Sequence, residues 1–146
     1  DKEAQTGAPA CAMQLPDGTI VTGKTGDLLG ASASVLLNAL KVLGGIDDSI
    51  DLVASEVIAP VQKLKVEHMG SVNPRLHTDE ILLSLAISAV SDKTAKIALD
   101  QLGKLKGAEL HSTVILSHVD EKMFKKLGVN VTYEPKRTQK ALFQVN

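Results

Sequence analysis

Apolar positions alternate with polar ones near both ends of this chain and recur at helical spacing through its middle. Cys11 to Leu15 predicts a short strand. Thr19-Ile20-Val21-Thr22, all β-branched, predicts a second, and Pro16-Asp17-Gly18 between them is tight-turn chemistry. Together they predict an opening β-hairpin. Val35 to Leu43 follows as a helix with apolar residues around most of its surface, closed by Gly44-Gly45. Residues 46–55 form a linker ending at Ser55, which can cap a helix over Glu56 to His68. Met69 to His77 reads as a loop. Thr78, with Asp79 and Glu80, marks the next helix start. Ile81 to Val90 is nearly all apolar and so predicted to be central. Lys93 to Leu105 continues as a helix, Leu110 to Leu116 as a buried strand, Val119 to Leu127 as a short amphipathic helix, and Val129 to Tyr133 as a strand ended by Pro135. The order predicts an α/β layered domain with a mixed sheet, whose last β-α-β unit is a parallel pair. The single domain spans 11–135, between a flexible lead-in at 1–10 and a basic tail at 136–146.

The hairpin matters because Gly18 to Thr25 also satisfies the phosphate-loop pattern G-x-x-x-x-G-K-[ST]. A phosphate loop needs turn conformations at its variable positions, so that successive N–H groups curl around the anion. Here those positions are Thr19, Ile20, Val21 and Thr22, stiff residues inclined to extended structure. Gly18 is needed by the turn, and Gly23-Lys24-Thr25-Gly26 becomes the exit of the second strand. The match is read as accidental.

Composition narrows the functional classes. The chain has 146 residues, 44% apolar and 23% charged, enough for a sizeable core and too apolar for disorder. Net charge is −1 and aromatic residues are 2%, which argues against a nucleic-acid partner. Acidic residues dominate the first 59 positions, eight against three basic; basic residues dominate the remainder, thirteen against nine. Solvated helix faces suffice to explain that split. The single cysteine, Cys11, rules out an internal disulfide and a C-x-x-C site. The longest apolar run is too short to span a membrane. A cytoplasmic setting is expected, with no membrane partner. The opening Asp1-Lys2-Glu3 reads like the middle of a longer chain.

Three segments carry candidate chemistry. Asn73-Pro74-Arg75-Leu76-His77-Thr78-Asp79-Glu80 sets an amide, a guanidinium, an imidazole and two carboxylates at a helix start. Arg75 offers a planar fork to a carboxylate or phosphate, and His77 can move a proton near neutral pH. Helix capping with an Arg75 ion pair is the structural alternative. Gly23-Lys24-Thr25-Gly26-Asp27, with Ser32 and Ser34, brings a lysine and hydroxyls to another helix start. A solvated connection with small residues for helix packing is the structural alternative, and the plainer one. Around His111, Ser112 and Thr113 the strand period sends Ser112 to the face opposite His111, which makes a Ser–His nucleophile poor. The four histidines show no metal-ligand spacing, so no metal is expected, and no cofactor is predicted.

These residues also carry a resemblance. Leu15 to Leu29 with Val21-Thr22-Gly23-Lys24-Thr25, Asn73-Pro74-Arg75-Leu76-His77, His111 to Leu116, and Lys126-Leu127-Gly128-Val129-Asn130 together resemble the C-terminal region of the bacterial uncharacterised protein family 0371. The resemblance covers nearly the whole chain. It implies a protein roughly three times as long, whose preceding part holds its own glycine-rich G-x-G-x-G-K segment. It implies a three-layer α/β/α layout like that of the cytidine deaminases, in which ligands sit where two helix N-termini converge, here near Gly30–Ser34 and Asn73–Glu80. The deaminase H-x-E and C-x-x-C ligands are missing, so zinc-assisted deamination is not implied. The resulting expectation is a domain that helps bind a small anionic or nucleotide-like ligand through Lys24, Thr25, Asn73, Arg75 and Ser112. His77 would be the catalytic candidate, and whether the protein is an enzyme is left open. The alternative is a non-catalytic oligomerisation domain. The expected partners are the remainder of its own chain, the ligand and a second copy.

Overall fold

The computed structural model describes residues 10–134. The expected lead-in and basic tail lie outside the described residues, apart from Ala10, which is already in a strand. The described chain runs β1 (Ala10–Gln14), β2 (Ile20–Lys24), α1 (Ala31–Gly44), α2 (Ser55–Glu67), α3 (Thr78–Ser88), α4 (Lys93–Leu99), a 3-10 turn (Leu102–Leu105), β3 (Glu109–Ser112), α5 (His118–Lys126) and β4 (Asn130–Tyr133). The four strands form one mixed sheet in the order β2-β1-β3-β4. β1 is antiparallel to both β2 and β3, whereas β3 and β4 are parallel, joined through α5.

The phosphate-loop match is a strand from its third residue to its seventh. Ile20 to Lys24 pairs with Gln14 to Ala10. Pro16 to Gly18 turns between the strands, where Leu15 N–H reaches Thr19 O at 2.8 Å and Gly18 adopts φ 94°. β3 stops earlier than the sequence predicts. The Ser112 hydroxyl donates to Val114 O at 2.6 Å and accepts from Val114 N at 3.2 Å, closing a local turn that ends the pairing.

The two faces of the sheet differ. Cys11, Met13, Val21, Leu110 and Ser112 are buried and share one face. They pack in one core with Val35, Leu36 and Leu40 of α1, Leu85 of α3 and Phe124 of α5. The opposite face carries Gln14, Ile20, Lys24, His111, Asn130 and Thr132, all exposed. The expected three-layer arrangement is therefore corrected. Among the described residues the helices lie on one face, and the polar residues of the other suit water. The expectation that residues 81–90 are central also holds for one side only: Ile81, Ser84 and Leu85 are buried, while Leu83, Ile87 and Val90 face outward.

Gly23 shows how tightly α1 sits on β2. A Cβ there would lie 2.3 Å from Val35 N and 2.7 Å from Val35 Cα, both backbone atoms that cannot swing away. Gly26 meets nothing within 4 Å. Gly23→Ala is expected to destabilise the chain by about 3 kcal/mol or more in urea denaturation, and Gly26→Ala by less than about 1 kcal/mol. Equal effects would refute this account of Gly23.

Candidate functional site

Every strand but β1 ends on one edge of the sheet, and the starts of three helices gather there. A short parallel bridge between Leu29 and Leu76 sets the loops before α1 and α3 side by side. Leu76 N–H donates to Leu28 O at 2.9 Å, and Gly30 N–H to Leu76 O at 3.3 Å. Arg75 reinforces the contact by donating its Nε–H to Gly26 O, across 49 positions of sequence. Two segments singled out separately in the sequence thus form one structure.

Asp120, in the first turn of α5, lies at the centre of this assembly and was not among the sequence candidates. Its Oδ1 accepts from Thr78 N at 2.9 Å and from Thr78 Oγ1 at 2.7 Å. Its Oδ2 accepts from Ser32 Oγ at 2.7 Å and lies 3.3 Å from His77 Nδ1. Burial acts to raise the pKa of this carboxyl. The hydrogen bonds from Thr78 and Ser32, with the nearby His77, outweigh it and leave the group below the ordinary carboxylate range. An ionised carboxylate only accepts, so in a hydrogen bond between the two it is His77 Nδ1–H that donates, with Nε2 left for other work. The His77 side chain is 33% exposed. Helix α3 begins with His77 as its N-cap; Thr78, expected as the cap, is the first helical residue and turns its hydroxyl to Asp120.

A second buried charge fixes the approach to the site. Lys65, on α2, is 3% exposed and donates to Glu80 Oε1 at 2.7 Å and Arg75 O at 2.8 Å. Glu80 Oε1 also accepts from His77 N at 2.8 Å. This ion pair clamps the backbone at both Arg75 and His77, holding two candidate side chains by their main chain.

The remaining candidates divide. Lys24 is exposed and, among the described residues, its ammonium has no hydrogen-bond partner. It borders a cleft of about 550 Å³ along the outer edge of β2, with Thr22, Ser34, Asn38 and Lys41 among its lining. Arg75 and His77 are not among that lining. Thr25, half-buried, lies in the turn between Lys24 and Gly26. Asn73 uses its side-chain oxygen to accept from Arg75 N at 3.0 Å, which shapes the loop. Ser112 is 1% exposed, bonded to Val114 and contacted by Cys11 Sγ at 3.7 Å, so it presents nothing to a ligand from outside. Burial pushes the Cys11 thiol up to about 11, despite its contact with Ser112. Among the described residues no three histidine, cysteine or acidic side chains gather to hold a metal. None of the described helices is long and apolar enough to cross a membrane.

Two outcomes follow for the buried groups. Asp120→Ala strands Ser32 and Thr78 without their acceptor and is expected to cost about 3 kcal/mol in chemical denaturation. Because its folded pKa is lowered, Asp120 stabilises fully above its unfolded value of about 4, and that contribution fades as pH falls through the folded value. Asp120→Asn should flatten the acid limb of stability against pH; an unchanged acid limb would contradict the assignment. Cys11 should resist iodoacetamide at pH 8 in the folded chain and react once unfolded.

Comparison with known proteins fits this chain to a domain rather than a whole protein. The family description "Domain of unknown function DUF1846, C-terminal" matches residues 1–143. A UPF0371 protein of Corynebacterium glutamicum (strain R) is 56% identical over 144 residues, covering 99% of this chain and 29% of the relative. UPF0371 protein CE2832 of Corynebacterium efficiens is 59% identical over 142 residues, covering 97% and 29%. UPF0371 protein SpyM50764 of Streptococcus pyogenes serotype M5 is 53% identical over 134 residues, covering 92% and 27%. The chain thus spans less than a third of the length of these relatives, and with this match it belongs to the DUF1846 family, corresponding to the C-terminal domain of the longer UPF0371 proteins.

Proposed function

We propose that this domain helps a longer protein bind a small anionic, nucleotide-like ligand at the edge of the sheet where α1, α3 and α5 begin. The observation that carries the reading is the tie between Arg75 Nε and Gly26 O. It sets a guanidinium beside the turn that follows Lys24 and Thr25, and its terminal nitrogens have no protein partner among the described residues. Arg75 can then meet an anion there, while Lys24, on the open face of the sheet, would reach it around the end of β2. Helix α1 supports this, since its N-terminus has no side-chain cap and no acidic residue in its first turn.

Asp120 changes the role of α3 in this reading. Its carboxylate already occupies the donors of Thr78, so α3 supplies no open anion site. Its place at the site is to orient His77, whose Nε2 can accept or deliver a proton next to the bound anion. The cytoplasmic setting expected from composition belongs to the same reading.

The test uses the full-length protein and inorganic phosphate as probe. Millimolar phosphate should raise the melting temperature of the wild type, as any ligand that prefers the folded state does. Arg75→Gln and Lys24→Gln should each weaken that shift, with a rise of about tenfold in apparent Kd. His77→Gln should leave phosphate binding within about twofold while slowing any turnover found. A phosphate shift untouched by both cation variants, or no shift at all, would remove this reading.

A further inference from the structure

Helix α3 is apolar on both sides. Its inner side, Ile81 and Leu85, is fully buried. Its outer side and the turn after it present Leu83, Ile87 and, two residues past its end, Val90, which are 67%, 69% and 88% exposed. These positions recur every three or four residues and so form one stripe on a helical surface. A helix apolar all round belongs inside a larger structure, and exposed apolar patches mark contacts with other protein. The open face of the sheet makes the contrast. There Asn130 Nδ2 donates to Glu109 Oε2 at 2.9 Å and Thr132 Oγ1 lies 2.7 Å from His111 Nδ1, a surface that apart from Ile20 on β2 is polar and bonded within itself.

We infer that the outer stripe of α3 is the docking surface for the part of the chain that precedes this domain in the longer protein. More than two thirds of each relative lies outside the matched region, and the match is to a C-terminal domain, so that chain lies chiefly before residue 1. Size argues against a second copy as the occupant. From Leu83 to Val90 the stripe runs about 10 Å along the axis and offers three large side chains. A stable interface between separate proteins buries about 1,600 Å² in total, well beyond what such a stripe and its twin would cover. A segment of the same chain is held at millimolar effective concentration and needs no such area. The inference is independent of the ligand reading, because none of these three residues belongs to that site.

The test is side-chain accessibility in the full-length protein. In Ile87→Cys, and separately in Leu83→Cys, maleimide labelling resolved by site should run at least tenfold slower than in Lys104→Cys, an exposed reference. That protection should persist on dilution to a monomer by light scattering. Hydroxyl-radical footprinting of the unsubstituted full-length protein gives a reading that depends on no variant, and Leu83 and Ile87 should be protected there also. Labelling within twofold of the reference, with open footprints, would overturn the inference. Protection that vanishes as scattering reports dissociation would assign the stripe to a second copy and overturn it equally.

Discussion

The buried carboxylate of Asp120 is the constraint around which the helical layer is arranged. One side chain on α5 satisfies a hydroxyl from α1, a hydroxyl and an N–H from α3, and lies beside the imidazole before α3. A carboxylate so deep would be costly without those partners, and the partners would be costly without it. Each helix start is therefore fixed relative to the other two. The Lys65–Glu80 pair works one level out, pinning the backbone at Arg75 and His77 rather than their side chains. The result is a rigid support for two half-exposed groups, His77 and Arg75, that the fold itself does not require to be exposed.

Much of this layout was legible in the sequence, because it rests on local periodicity. The β-branched run at 19–22 and the acid-led start at 78–80 each predict an element that forms within a residue or two, and the helical spacing of 35–43 predicts a helix that starts four residues earlier, at Ala31. The parallel β3–β4 pair follows from a short crossover helix. What escaped was long-range. Asp120 reads locally as an acid suited to a helix dipole, and Ser117 does cap that helix by accepting from Asp120 N at 3.2 Å. One signal was available. Asp120 stands four residues before Phe124, on the buried face of an otherwise regular amphipathic helix. A carboxylate in that row needs partners from another element. The partners themselves, on α1 and α3, leave no mark that a local reading detects. Lys65 is hidden in the same way, two residues after the exposed Lys63 of α2.

Residues 81–90 illustrate a different failure. A continuous apolar run says that a helix is covered, not by what. Within the described residues only one side is covered, so the pattern carries information about a larger molecule than this domain. The length of the relatives agrees, since the matched region is under a third of each. The polar, internally bonded sheet face shows that exposure alone is not the signal; the chemistry of what is exposed is.

The phosphate-loop match has a physical explanation in the same terms. Its second glycine is required, but by packing: Gly23 lets the backbone of α1 approach β2 closer than any Cβ would permit. Its lysine ends a strand, and its threonine begins the turn that Arg75 holds through Gly26. A strand that must admit a helix at its end, then turn sharply, calls for glycine followed by small or polar residues whatever its function. The pattern therefore arises from strand–helix geometry shared with true phosphate loops, without the curled backbone that makes those loops bind. The anion site proposed above would therefore rest on side chains rather than on a curled backbone, and the guanidinium of Arg75, held through Gly26, is the more informative of its two cations.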